Sequence, residues 1–163
     1  MVIAKPERDI DPAKEALFAR PGFLIRRLHQ IHVAMFMEEF KSTNITPVQY
    51  GLMSAVAALP GLDQTALGQE VGLDRTTTAD VVKRLEERGL LERRPNPLDR
   101  RTRHVQLTAQ GQARVAELHG DMTRAQERLL EPLRPAEKAI LLDLMRRLVE
   151  ANNQYSRTIL RGI

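Results

Sequence analysis

The chain contains no cysteine. That absence removes disulfides, thiolate metal sites and thiol redox sensing in one step. No apolar run approaches the roughly 18 residues of a membrane span, and the N-terminus lacks the apolar stretch of a secretory signal. A cytoplasmic protein, working at the nucleoid and without a membrane partner, is the expectation. Histidine is scarce, at four in 163 residues, and scattered. There is no nucleophile elbow, no phosphate-cradling glycine loop and no H-E-x-x-H. The carboxylate pairs Glu38-Glu39 and Glu86-Glu87 are adjacent and so diverge on a helix. No enzyme and no cofactor are expected.

The chain is long enough for one domain or two small lobes with a real core. Its most informative stretch runs from Gln64 to Leu107. Helical apolar spacing between Leu67 and Val71 ends at Gly72, a residue that tolerates left-handed backbone. Asp74 can then cap a second helix by accepting from the backbone N–H of Thr76 or Thr77. On that helix Val81, Val82 and Leu85 share one face, with Thr78 at its edge. Arg75, Thr76, Ala79, Asp80, Lys83 and Glu87 project the other way. Two helices joined by a short turn, the second offering Arg, Thr and Lys outward, form the arrangement a DNA-reading helix-turn-helix needs.

Gly89 stops the second helix and Leu90, Leu91 and Glu92 begin an extended run. Pro95 and Pro97 bar helix around a loop. His104-Val105-Gln106-Leu107 alternates polar and apolar, as a half-buried return strand does. The expected hairpin carries Asp99, Arg100, Arg101 and Arg103 at or near its tip. Between Arg75 and Arg103 lie nine bases and five acids, an excess equal to the whole net charge of +4. A basic surface confined to one module is the footprint of phosphate contact, because neutralising the DNA backbone releases counterions. Double-stranded DNA is therefore the expected partner.

The run R-T-T-T-A-D-V-V-K-R-L-E-E-R-G-L-L-E-R, followed by D-R-R-T-R-H-V-Q-L-T-A-Q-G, resembles the winged helix-turn-helix of the MarR family of bacterial regulators. The likeness extends from about Phe23 to Val149. It implies a mainly α fold with a small β-wing, in which a winged helix-turn-helix lobe is joined to a helical dimerisation lobe. It also implies a dimer whose first and last helices interlock. The expected division is an arm or short helix over 1–20, helical dimerisation segments at 21–46 and 108–163, and the DNA-binding unit at 47–107.

The flanking segments read as helices. Asp11-Pro12 can start a short helix to Phe18, or the first residues can form an arm across a second subunit. From Pro21 to about Phe40, one stripe is Leu24, Leu28, Ile31 and Met35, beside another of Ile25, His29, His32 and Phe36. A helix follows Thr46-Pro47 with Tyr50, Leu52, Met53 and Val56 inward. Thr108 caps a long helix to about Leu130 on which Val115, Leu118, Met122, Ala125 and Leu129 make a heptad-like seam. A last helix carries Ile140, Leu141, Leu144, Leu148 and Val149 on one face. This apolar surplus pairs with a second copy or caps the monomer; the first is the simpler expectation.

Arg75, Thr76 and Lys83 are the expected groove contacts, with Thr77 near a phosphate, Arg100 or Arg101 probing the minor groove and Arg103 on a phosphate. Arg84, Arg88 and Arg93 read equally well as struts paired with Glu86, Glu87 or Glu92. Members of the family respond to small aromatic or phenolic anions bound between the two lobes. Carried onto this sequence, that region takes in Arg26, Arg27, His29, His32, Phe36, Tyr50 and Met53. An arginine fork suits an aromatic carboxylate and the apolar wall suits its ring. The two histidines serve equally as hydrogen-bonding groups at the lobe interface. A shared metal ion on His29 and His32 needs further ligands, and Glu38, Glu39, His104 and His119 do not obviously converge on them. The leading expectation is a ligand-responsive repressor. The alternatives are a sequence-neutral architectural DNA binder and a metal-responsive regulator.

Overall fold

A computed structural model of the chain describes residues 11–96 and 102–160. Asp99, Arg100 and Arg101 at the expected wing tip, and residues 1–10 of the expected arm, lie outside them. In chain order the elements are α1 (Pro12–Phe18), α2 (Pro21–Glu39), α3 (Pro47–Ala58), α4 (Gln64–Glu70) and α5 (Arg75–Glu87). Then come β1 (Leu91–Pro95), β2 (Arg103–Leu107), α6 (Ala109–Leu130), α7 (Pro135–Asn152) and a 3-10 turn at Asn153–Tyr155. The fold is mainly α with a two-stranded antiparallel wing, as the sequence led one to expect.

Local chemistry sets most of these boundaries. Thr46 accepts from Gln49 N at 3.2 Å while the Gln49 side chain accepts from Thr46 N at 3.1 Å, a reciprocal capping box for α3. Asp74 and Thr108 cap α5 and α6 through Thr77 N at 2.9 Å and Gly111 N at 3.0 Å. α4 starts three residues before Leu67, because Asp63 also caps, accepting from Ala66 N at 2.8 Å. Gly72 and Gly89 both stand at φ +69°, where a side chain would be strained, and each ends its helix.

In the wing, Leu91 pairs with Leu107 and Pro95 with Arg103. Pro95 thus closes the strand instead of opening the loop, a position where its missing N–H costs little. The other edge of β2 is tied down by Val105 N donating to Leu62 O at 3.0 Å. The wing is thereby fixed to the segment that leads into α4.

One buried cluster runs through the molecule. Phe36 stacks on Phe40 with ring centroids 3.9 Å apart, and Tyr50 of α3 meets Phe40 edge-on at 5.5 Å. Leu52, Met53, Leu67, Val82, Leu85, Val105 and Leu118 are among its other members. The expected seam of α6 is therefore spent mostly within the chain. Leu118 and Ala125 are fully buried, and Val115 and Met122 pack on the cluster. The seam's 3-and-4 spacing is equally that of a helix docking on a core, and its neighbour here is α2. Arg128 and Arg124 fasten the same pair of helices to Glu38 and Glu39, at 2.8 and 3.4 Å. The apolar surplus lies elsewhere. Leu24, Ile25, Leu28 and Ile31 on α2 are exposed, as are Ile140, Leu144, Leu148 and Val149 on α7, which buries no residue at all.

Truncating Leu118 removes a fully buried side chain where α6 meets the common core. Leu118→Ala is expected to lower unfolding stability by about 2–5 kcal/mol. Denaturant unfolding should show the midpoint falling with an unchanged slope.

Candidate nucleic-acid interface

The helix-turn-helix is built on a close approach. A Cβ at Gly68 of α4 would lie 2.5 Å from Thr78 Oγ1 and 3.1 Å from Leu73 O, so only glycine lets α4 cross α5 this tightly. Thr78 is 1% exposed, and its hydroxyl donates to Asp74 O at 2.8 Å, which satisfies the one polar group on that buried face. The sequence placed Thr78 at the edge of the packed face. It stands at the centre, with Val82 and Leu85, while Val81 is only half-buried.

With that face inward, Arg75, Thr76, Asp80, Lys83 and Glu87 are exposed together, as their spacing predicts, and Ala79 is half-buried between them. Lys83 meets Glu87 at 3.8 Å with both side chains largely in solvent, a pairing too weak to hold the ammonium back from a phosphate. Thr77 is half-buried, and its hydroxyl proton goes to Asp74 Oδ2 at 2.8 Å. Thr77 thus reinforces the Asp74 cap of α5. Arg103 is exposed at the far end of β2.

Two of the three ambiguous arginines are struts. Arg93 bridges Glu86 at 3.2 Å and Gln64 at 2.8 Å, tying β1 to both helices of the motif. Arg88 donates to the Asn44 carbonyl at 2.8 Å, a backbone partner that no charge pattern foretells. Arg84 is exposed and makes no ion pair among the described residues.

The residues expected to hold an effector divide between the buried core and the surface of α2. Phe36, Tyr50 and Met53 are 0%, 6% and 0% exposed and belong to the core. Helical spacing gave their face correctly but not what covers it. Arg26, Arg27 and His29 are exposed on the N-terminal half of α2, where Arg27 donates to Gln30 Oε1 at 3.1 Å. His32 is half-buried with its Nε2 3.5 Å from Gln126 Nε2 of α6. Burial, then the nearby His29, lowers the His32 pKa below its ordinary value and so favours the neutral ring. Among the described residues no three His, Asp or Glu side chains converge as a metal site would need.

A family model described as the MarR family matches residues 43–102, which take in the whole motif and β1. Over 127 residues the chain is 33% identical to the transcriptional regulator HosA of Escherichia coli O111:H-, spanning 78% of this chain and 93% of that one. The chain belongs to the MarR family. Among solved structures it is similar to the PcaV regulator of Streptomyces coelicolor in complex with its natural ligand, at 38% identity and a TM-score of 0.75. That match covers 88% of this chain and 98% of PcaV. It is also similar to BpsR of Bordetella bronchiseptica, whose DNA binding is regulated by 6-hydroxynicotinic acid. There the identity is 29% and the TM-score 0.75, over 79% of this chain and 92% of BpsR. This MarR-family chain is thus a DNA-binding transcriptional regulator, not an enzyme.

The recognition helix carries a pH signature. The Thr77 backbone N–H, then its hydroxyl, hold the Asp74 carboxyl below its ordinary 3.8. A depressed carboxyl stabilises the fold above its unfolded value, and that contribution is lost as pH falls through the folded one. The uncharged cap in Asp74→Asn should therefore lower the melting temperature at pH of about 6, with the difference shrinking as the pH falls below the ordinary 3.8. A thermal melting series across that range checks it.

Proposed function

We propose that this regulator is a repressor that binds a pseudo-palindromic operator as a homodimer and releases it on binding a small aromatic acid or its thioester. The observation that carries the DNA half is the exposed row Arg75, Thr76 and Lys83 on a helix whose opposite face is fully packed. Arg75 suits a guanine edge and the Thr76 methyl a thymine. Arg100 or Arg101 suits a narrow minor groove and Arg103 a phosphate. Pairing through α7 and the N-terminal half of α2 would cover the apolar residues those helices leave in solvent. Two recognition helices then meet half-sites roughly one turn, about 10 bp, apart.

Exchanging Lys83→Ala and Arg101→Ala together is expected to weaken binding to a promoter fragment at least tenfold, as loss of about 1–3 kcal/mol for an arginine contact alone implies. A titration in which native protein saturates at two chains per fragment supports the paired reading. Unchanged affinity in the double variant, or saturation at one chain, sinks it.

For the effector, the support is chemical. The exposed Arg26, Arg27 and His29 lie on the same helix as the surface that pairing would cover, so that cations border the apolar edge of the proposed seam. An aromatic carboxylate needs both. BpsR, the relative that answers to 6-hydroxynicotinic acid, supports the same ligand class. With Phe36, Tyr50 and Met53 in the core, the contacts assigned to this chain are Arg26, Arg27, His29 and His32. In calorimetry against a panel of aromatic acids, His29→Ala is expected to bind at least tenfold more weakly, about 1.4 kcal/mol. Equal affinity in both proteins removes His29 from the site.

A further inference from the structure

Residues beyond α7 return to the helix-turn-helix. Thr158 lines a cleft of about 170 Å³ with Thr65, Gly68 and Gln69 of α4, Leu73 of the turn and Arg75 of α5. The tail is held in shape by Asn153, whose Nδ2 donates to Leu160 O at 2.8 Å and whose Oδ1 accepts from Leu160 N at 3.0 Å. Arg157, next to the seated Thr158, is exposed and has no hydrogen bond or ion pair among the described residues. It lies close enough to Asp74, the cap of α5, to add the smallest of the pulls that lower that carboxyl.

A segment beside the leading end of a recognition helix either shields it from DNA or joins it on DNA. The sign of its charge separates the two. A shield gains by carrying acids, which meet Arg75 as a phosphate does. Residues 151–163 carry Arg157 and Arg161 and no acid. Next to Arg75, such a tail gains most when a phosphate lies across both. We propose that the C-terminal tail is an additional DNA-contacting element, with Arg157 binding the phosphate backbone beside the N-terminal end of α5.

The proposal rests on the DNA-binding reading above, and its test separates the two. Binding of the full chain, Arg157→Gln and Arg157→Lys to one promoter fragment is measured at several salt concentrations. Arg157→Gln is expected to make the dependence of log affinity on log salt shallower by about 0.9 per chain, and to weaken binding about fivefold per chain near 0.15 M salt. Arg157→Lys, which keeps the charge, restores most of both. Unchanged affinity and slope in Arg157→Gln overturn the proposal, and so does tighter binding, which would make the tail a cover. If only the paired Lys83→Ala and Arg101→Ala exchange weakens binding, the tail fails and the DNA surface stands. If neither exchange matters, the DNA surface falls too.

Discussion

The crossing of α4 over α5 at Gly68 and Thr78 is the contact on which the DNA-facing surface depends. A helix offers one face to the groove only when the opposite face is fixed, and here it is fixed by a hydrogen atom standing where a methyl group would collide. The Thr78 hydroxyl turns back to its own helix at Asp74, whose side chain caps that same end. Packing, capping and polar satisfaction thus meet within one turn of backbone. Consistency of this kind sharpens the preference for a single geometry beyond what each contact contributes alone. The Arg93 bridge to Glu86 and Gln64 extends that order to the wing, so the strands and the reading helix hold a set relation.

Much of this was legible because it is local. Asp74, Thr108 and the prolines at the starts of α2, α3 and α7 act within four residues of themselves, and a linear pattern records such effects faithfully. The alternation of His104 to Leu107 marked a strand with one face in the core, and Val105 is the residue it buries. The outward row on α5 followed from the 100° step alone. Among the site residues, Arg75, Thr76, Lys83 and Arg103 stand in the open as their positions required.

What sequence pattern did not give is the identity of neighbours. Phe36, Tyr50 and Met53 sit on apolar faces, and a face says nothing about whether protein or ligand lies against it. Their partners, Phe40 and the inner face of α3, come from segments on either side of the Thr43–Thr46 turn. The seam of α6 posed the same ambiguity, since the spacing that suits a second copy also suits α2. Arg88 bonding a carbonyl 44 positions away is the extreme case. No charge or period signals a backbone acceptor. Such features belong to tertiary packing, which a reading of periods cannot assign.

α2 unites these observations. Between Phe23 and Phe40 it contains neither glycine nor proline, the usual sources of a kink. Its far end is locked among aromatic rings under the reading unit, while its near end presents bare leucine, isoleucine and arginine to solvent. An unbroken helix links its two ends rigidly. Such a rod joins the exposed half to the ring stack over 15 or so residues, about 22 Å at 1.5 Å per residue.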